Sequence, residues 1–170
     1  MLPLIIIPNS VVKIEEAAFC DCDNLKSVRL PKYLKDIDRH LFYNCKSLSE
    51  IEFPNGLKRI LDTAFTDCSN LTQITLPTSI EFIGGDVFAR TNLDFVYLPE
   101  NITHIEASTF AGIKNKNFEF CAHPNVLKKF SLEIIKGFKE EPTLDDLLHH
   151  PSMSLNKANK ILNESICEER

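Results

Sequence analysis

A period constrains this chain more than any other feature. Prolines fall at Pro8, Pro31, Pro54, Pro77 and Pro99, and phenylalanines at Phe19, Phe42, Phe65, Phe88 and Phe110. Both series advance by 23, 23, 23 and then 22 residues. A fixed step of about 20–29 residues is the mark of a solenoid, in which one unit cannot bury its apolar side alone and stacked units share a core. The skeleton is fullest in residues 49–71, SEIEFPNGLKRILDTAFTDCSNL.

Aligned on that step, the columns separate. Ile5, Val28, Ile51, Ile74 and Val96 form one; two residues on stand Ile7, Leu30, Phe53, Leu76 and Leu98. Apolar residues two apart point to one face of a strand, and β-branched residues and phenylalanine favour strands. Each repeat therefore contributes a short strand ending at its proline, which donates no ladder hydrogen bond. A second inward stretch, read as another short strand, carries Val11, Leu34, Leu57, Ile80 and Ile102, then Ile14, Ile37, Ile60, Ile83 and Ile105. Next come a small or aliphatic residue and the phenylalanine, from Ala18-Phe19 to Thr109-Phe110, where one turn of helix is expected, too short to be stable alone. Leu25, Leu48, Leu71 and Leu93 close the coil. In the fourth repeat Ala89-Arg90-Thr91-Asn92 replaces five residues, a loss that a surface turn tolerates. Cys22, Cys45 and Cys68 also stand 23 apart. They belong to the skeleton, so buried free thiols are expected there rather than a disulfide framework.

The resulting pattern is L-x-x-[IV]-x-[LF]-P-x-x-[LIV]-x-x-I-x-x-x-[AL]-F-x-x-C-x-x-L, carried whole by Leu25–Leu48 and Leu48–Leu71. It resembles the BspA-type, or Treponema pallidum-type, leucine-rich repeat, over about residues 2–113. The resemblance implies a curved solenoid of the kind found in surface proteins of bacteria and parasitic protists, serving adhesion and protein–protein contact. The expected fold is a leucine-rich repeat solenoid, β-rich with a short helical turn per repeat and so mixed α/β, closed by a helical C-terminal cap.

After Phe110 the skeleton fades, although Asn117–Phe120 reads as a sixth strand. Val126, Phe130, Ile134 and Phe138 then recur every four residues as one stripe of an amphipathic helix, with Asn125 at its N-cap. Thr143 and Ser154 are candidate caps of two further short helices. The expected division is a solenoid over residues 1–121 and a helical cap and tail over 122–170, the first helix hiding the open end of the stack. At the other end Leu4-Ile5-Ile6-Ile7 is apolar on both faces. An uncovered edge strand of that kind invites pairing, so the expectation is either a partner there, including self-association through this strand, or further chain of a longer protein.

Composition narrows the function. The net charge of −5 argues against a nucleic-acid partner, which would need a basic surface. No stretch approaches the ~18 apolar residues of a membrane span, so no membrane insertion is expected. The start, MLPLIIIP, lacks a basic n-region and is not read as a signal peptide; as written the chain reads as cytoplasmic, while the resemblance implies the cell surface. Cys20-x-Cys22 and Cys121-x-His123 lack the usual zinc spacing and stand more than four coils apart, so no metal or other cofactor is expected. Cys121 and His123 form at most a capping loop with a half-buried thiol. Gly84-Gly85 is an isolated pair at a turn rather than a phosphate loop. His149-His150 reads as a solvated helix end. Asn70-Leu-Thr72, Asn101-Ile-Thr103 and Asn163-Glu-Ser165 match the glycosylation triplet, a pattern loose enough to arise by chance.

The outward strand positions carry the remaining information. They read Leu4, Ser27, Glu50, Gln73, Phe95 and Ile6, Arg29, Glu52, Thr75, Tyr97. These columns change character at every repeat while the inward ones stay apolar. In leucine-rich repeats they line the concave face, which is expected either to be merely solvated or to bind a protein. In the binding case the expected contacts are Phe95 and Tyr97 as exposed aromatic anchors, with Thr75, Gln73, Glu52 and Arg29 around them. A rival basic surface is Lys13, Lys35, Lys58 and Arg59. The expected function is a non-enzymatic protein–protein interaction module, tied to adhesion by resemblance; the alternative is a structural segment presenting other parts of a larger surface protein.

Overall fold

A computed structural model describes residues 4–123 together with Asn125, Val126, Phe138 and Lys139. Its strands, in chain order, are β1 (Leu4–Ile6), β2 (Ser27–Arg29), β3 (Asp36–Ile37), β4 (Glu50–Glu52), β5 (Arg59–Ile60), β6 (Phe82–Ile83), β7 (Phe95–Leu98), β8 (His104–Ile105), β9 (Glu119–Ala122) and β10 (Phe138–Lys139). All pairings are parallel, and those among β1 to β6 and β8 step by one repeat: Ile5 opposes Val28, which opposes Ile51. Equivalent residues therefore meet equivalent residues, and each apolar column becomes a continuous ridge of the core.

Two faces result. One is built from the strands before each proline, in the orders β1-β2-β4 and β7-β9-β10. The other is the unbroken run β3-β5-β6-β8, so the second inward stretch forms two-residue strands as expected. Between the faces lies the core, in which Leu34, Ile37, Leu57, Ile60, Ile80 and Ile83 are fully or almost fully buried.

The segment around each phenylalanine is not a turn of helix, which corrects the mixed α/β expectation to a β-solenoid built with turns. Its amides divide their duties. Ala18, Cys20 and Cys22 close three-residue turns onto the carbonyls of Glu15, Ala17 and Phe19, whereas Ala17, Phe19 and Asp21 donate to Arg39, Leu41 and Tyr43 of the next coil. The later coils repeat much of this pattern, as in Thr63 to Gly85, Phe65 to Val87 and Asp67 to Ala89. Two residues four apart in each such segment take positive φ to allow it, among them Ala17 and Asp21, His40 and Asn44, and Thr63 and Asp67. A helix would satisfy these amides within one coil; here half of them bind adjacent coils together.

The phenylalanines stack along the axis. Phe19, Phe42, Phe65, Phe88 and Phe110 follow at centroid spacings of 5.5, 5.3, 5.6 and 5.8 Å, with ring planes within 15° of parallel. Beside them, the Cys45 thiol donates to the Phe19 carbonyl at 3.0 Å and the Cys68 thiol to the Phe42 carbonyl at 3.1 Å. Both sulfurs are buried and free, and Cys22, in the first coil, is half-buried. Thr91 takes the next rung and donates instead to Phe88 within its own coil.

The C-terminal expectation needs a second correction. Among the described residues only Asn125 and Val126 are helical. Phe138 lies in β10 and pairs beside β9, opposite Phe120, so the expected helical stripe does not run through it. An open strand edge offers ladder bonds that a helix cannot use. Phe130, Ile134, Thr143, Ser154, His149-His150 and the Asn163 triplet lie outside the described residues. The β7-β9-β10 sheet also crosses the expected boundary between residues 121 and 122.

Candidate partner-binding surface

The first-sheet face, which the resemblance assigns to the concave side, carries a groove of about 820 Å³. Leu4, Arg29, Glu50, Glu52, Gln73 and Thr75 line it from four successive repeats. Its cause is local. The strand ladder stops at β4, and the fourth repeat contributes only an isolated bridge from Gln73 to Phe95. The second sheet passes the same repeat without interruption through β5 and β6. Coils remain stacked there, while one face opens between residues 50–53 and 73–78. Ile51 records the opening: it is half-exposed, whereas its column neighbours Val28 and Ile74 are buried at 3% and 4%.

The charges differ between faces. Elsewhere, cations reach across one repeat to an acid. Arg59 grips Asp36 with two bonds of 2.7 and 2.8 Å, Arg90 grips Asp67 with bonds of 2.9 and 2.7 Å, and Lys58 meets Glu81. The Arg90 guanidinium holds the Asp67 carboxyl below its ordinary pKa, chiefly through the hydrogen bonds it donates. In the groove, Arg29 and Glu52 are in register on neighbouring strands, yet no salt bridge forms at Arg29, Glu50 or Glu52 among the described residues. All three side chains are exposed.

Four of the six expected contact residues therefore gather at the groove: Arg29, Glu52, Gln73 and Thr75. Phe95 does not serve as an exposed anchor, because it is only 8% exposed. Both faces of β7 are covered apart from the half-buried Tyr97. The run Phe95-Val96-Tyr97-Leu98 is apolar without alternation, which is how a strand covered on both sides reads. Glu50, Ser27 and Asn55 also line the groove. Glu50 and Ser27 stood in the outward column without being singled out, and the break that defines the groove has no sequence mark, since Gln-Ile-Thr-Leu keeps the column pattern. On the rival surface, Lys13, Lys58 and Arg59 are engaged by Glu15, Glu81 and Asp36, which leaves little free basic character. Cys121 is buried, and the His123 Nδ1 accepts the Asn125 backbone N–H at 3.2 Å, a turn contact. No group of three or more His, Cys, Asp or Glu residues that could hold a metal ion occurs among the described residues, and no helix there is long and apolar enough to cross a membrane.

The model of the BspA type leucine rich repeat region matches six copies over residues 2–123. The chain belongs to the BspA-type leucine-rich repeat family. Among solved structures, a T. pallidum leucine-rich repeat protein is similar at 30% identity and a TM-score of 0.67, covering 73% of this chain and 59% of that one. A leucine-rich repeat protein from Bacteroides ovatus is similar at 28% identity and a TM-score of 0.66, covering 71% of this chain and 33% of that one. The pneumococcal vaccine antigen PcpA shares the fold at 18% identity and a TM-score of 0.64, covering 83% of this chain and 42% of that one. This chain thus spans less than two thirds of each of these relatives. No curated protein matches it significantly. A BspA-type solenoid of this form fits a protein-interaction module.

Proposed function

We propose that this chain is a non-enzymatic interaction module that holds a protein partner in the groove of the first-sheet face. The observation that carries the reading is the grouping of exposed Arg29, Glu50 and Glu52, which form no salt bridge among the described residues, around a groove that leaves Ile51 partly exposed. Exposed charge with an apolar floor gives both choice of partner and contact energy, and charged groups without a salt bridge among the described residues can be matched by a partner. The setting, a cell surface and adhesion, is taken from what the resemblance to the BspA-type family implies. The second reading, a structural segment presenting other parts of a larger surface protein, is favoured by the exposed apolar side of β1, where Leu4 and Ile6 are 43% and 57% exposed.

Capture from an extract of the source organism separates the two. The wild-type chain is compared with an Arg29→Glu/Glu52→Lys double variant and with Lys58→Ala on the other face. The interaction reading expects a partner recovered by wild type and by Lys58→Ala but lost by the double variant. Recovery that ignores the groove would favour the presenting segment.

A further inference from the structure

We infer that the groove of the first-sheet face takes an α-helix of the partner, laid along the solenoid axis, with apolar, acidic and basic residues on successive turns of one stripe. This rests on the interaction reading above and names the element and the side chains of its ligand. The groove is a furrow between side chains, and no strand position is vacant in it. Residues 73–76 fill the place beside β4, with Ile74 and Leu76 buried. The β5–β6 pairing and the Phe65–Phe88 stack hold them there. A partner segment on this face therefore has no ladder to join and must satisfy its own backbone. A helix does so, and it lies in a groove by its side chains alone. The spacing agrees: one helical turn rises about 5.4 Å, and neighbouring strands lie about 4.8 Å apart. Across the four coils of the groove the two steps part by only about 2 Å, within the reach of side chains.

The stripe follows from the order of exposed side chains along the axis. Leu4 of the first coil lines the groove and is 43% exposed. Arg29 follows on the second coil, and Glu50 and Glu52 on the third. Gln73 and Thr75 of the fourth coil carry no charge. None of the three charged residues forms a salt bridge among the described residues. Helix residues at i, i+4, i+7 and i+11 share one face and meet successive coils. The first is apolar against Leu4, the second acidic against Arg29, the third basic between Glu50 and Glu52, and the fourth polar against Gln73 and Thr75. Exchanging the acidic and basic positions brings like charges together, which fixes their order along the axis.

The test is a displayed library in which one exposed helix of a rigid helical bundle is randomised at i, i+4, i+7 and i+11. It is selected on the full chain and counter-selected on an Arg29→Glu/Glu52→Lys variant. Melting curves establish that the variant folds, as expected for exposed side chains, with Arg29→Gln/Glu52→Gln as its replacement otherwise. Enriched stripes should read apolar–acidic–basic in one chain direction or the other. A synthetic copy, locked as a helix by a side-chain cross-link, should bind wild type and lose about tenfold or more in affinity on the variant, the scale of opposed like charges. Exchanging its acidic and basic residues should restore binding to Arg29→Glu/Glu52→Lys and weaken it on wild type. A central proline should abolish binding, because it breaks the helix. Failure to enrich any groove-dependent stripe, enrichment of the opposite charge order, no rescue by the exchange, or tolerance of the proline would overturn the inference. If one of those results appears while the captured protein still depends on Arg29 and Glu52, the helix falls and the interaction module stands. If the captured protein ignores the groove as well, both fall.

Discussion

Phe65 sits between two near-parallel rings, Phe42 and Phe88, and meets Phe53 edge-on at 5.8 Å. It is fully buried, so truncation leaves a cavity in the middle of the stack rather than at its end. Phe65→Ala is expected to cost about 3–5 kcal/mol in denaturant melts, from lost burial and incomplete collapse. A loss below about 1 kcal/mol would mean that the ring is not a structural plug. The thiols beside it make a chemical prediction. Burial pushes the Cys45 thiol up to about 12 and raises the Cys68 thiol further, so neither forms the thiolate that reacts. In native protein at mildly alkaline pH, alkylation should spare Cys45 and Cys68 and reach them only after unfolding, as mass shifts would show. A native disulfide at either would refute the ladder of free thiols. These columns were legible in the sequence because a stacked repeat places identical residues in identical surroundings. Phe95 was not: its column placed it outside, and only the unbroken apolar run of β7 signalled a second covered face.

The elements show where periodicity stops being informative. It marks which residues face inward and located β1–β8 closely, but β9 lies at Glu119–Ala122, two residues beyond the expected Asn117–Phe120, and the strand expected around Ile74 and Leu76 is reduced to the Gln73 bridge. It does not report how the backbone amides are shared between coils. Ala17, Asp21, His40, Asn44, Thr63, Asp67, Asp86 and Arg90 all take left-handed φ, yet Ala17, Thr63 and Arg90 are not of the types enriched there. A glycine column would have announced these turns, and among the described residues Gly112 is the one glycine that keeps the pattern. The inter-coil charge pairs are also an element-level feature. Asp67 has its pKa lowered in the fold, chiefly by Arg90, so its pairing contributes stability above the ordinary carboxylate value of about 4 and loses it as pH falls through the lowered folded value. Asp67→Asn should therefore melt below wild type near neutral pH, with the gap closing in acid. A gap that widens as pH falls would contradict the pairing. The C-terminal stripe misled because a four-residue recurrence fits a helix on paper, whereas Phe138 supplies a strand partner for β9.

At the scale of the whole molecule, one face is continuous and neutralised while the other is split and charged. The unbroken β3-β5-β6-β8 sheet carries Arg59 paired to Asp36 and Phe82 stacked on His104 at 4.5 Å. The first-sheet face carries the groove with Arg29, Glu50 and Glu52. The sequence displayed the variable columns that form this face, but the break at Gln73–Leu76 arises from how neighbouring coils settle and leaves the residue pattern intact. Hydrogen exchange on the full chain, with and without the captured partner, tests the central claim most directly. Slowed exchange confined to Glu50–Phe53 and Gln73–Thr78 is the predicted footprint, with Lys58–Ile60, Glu81–Ile83 and His104–Glu106 unchanged. Protection of those latter segments, with the groove exchanging as in the free chain, would place the partner on the opposite face and contradict the account.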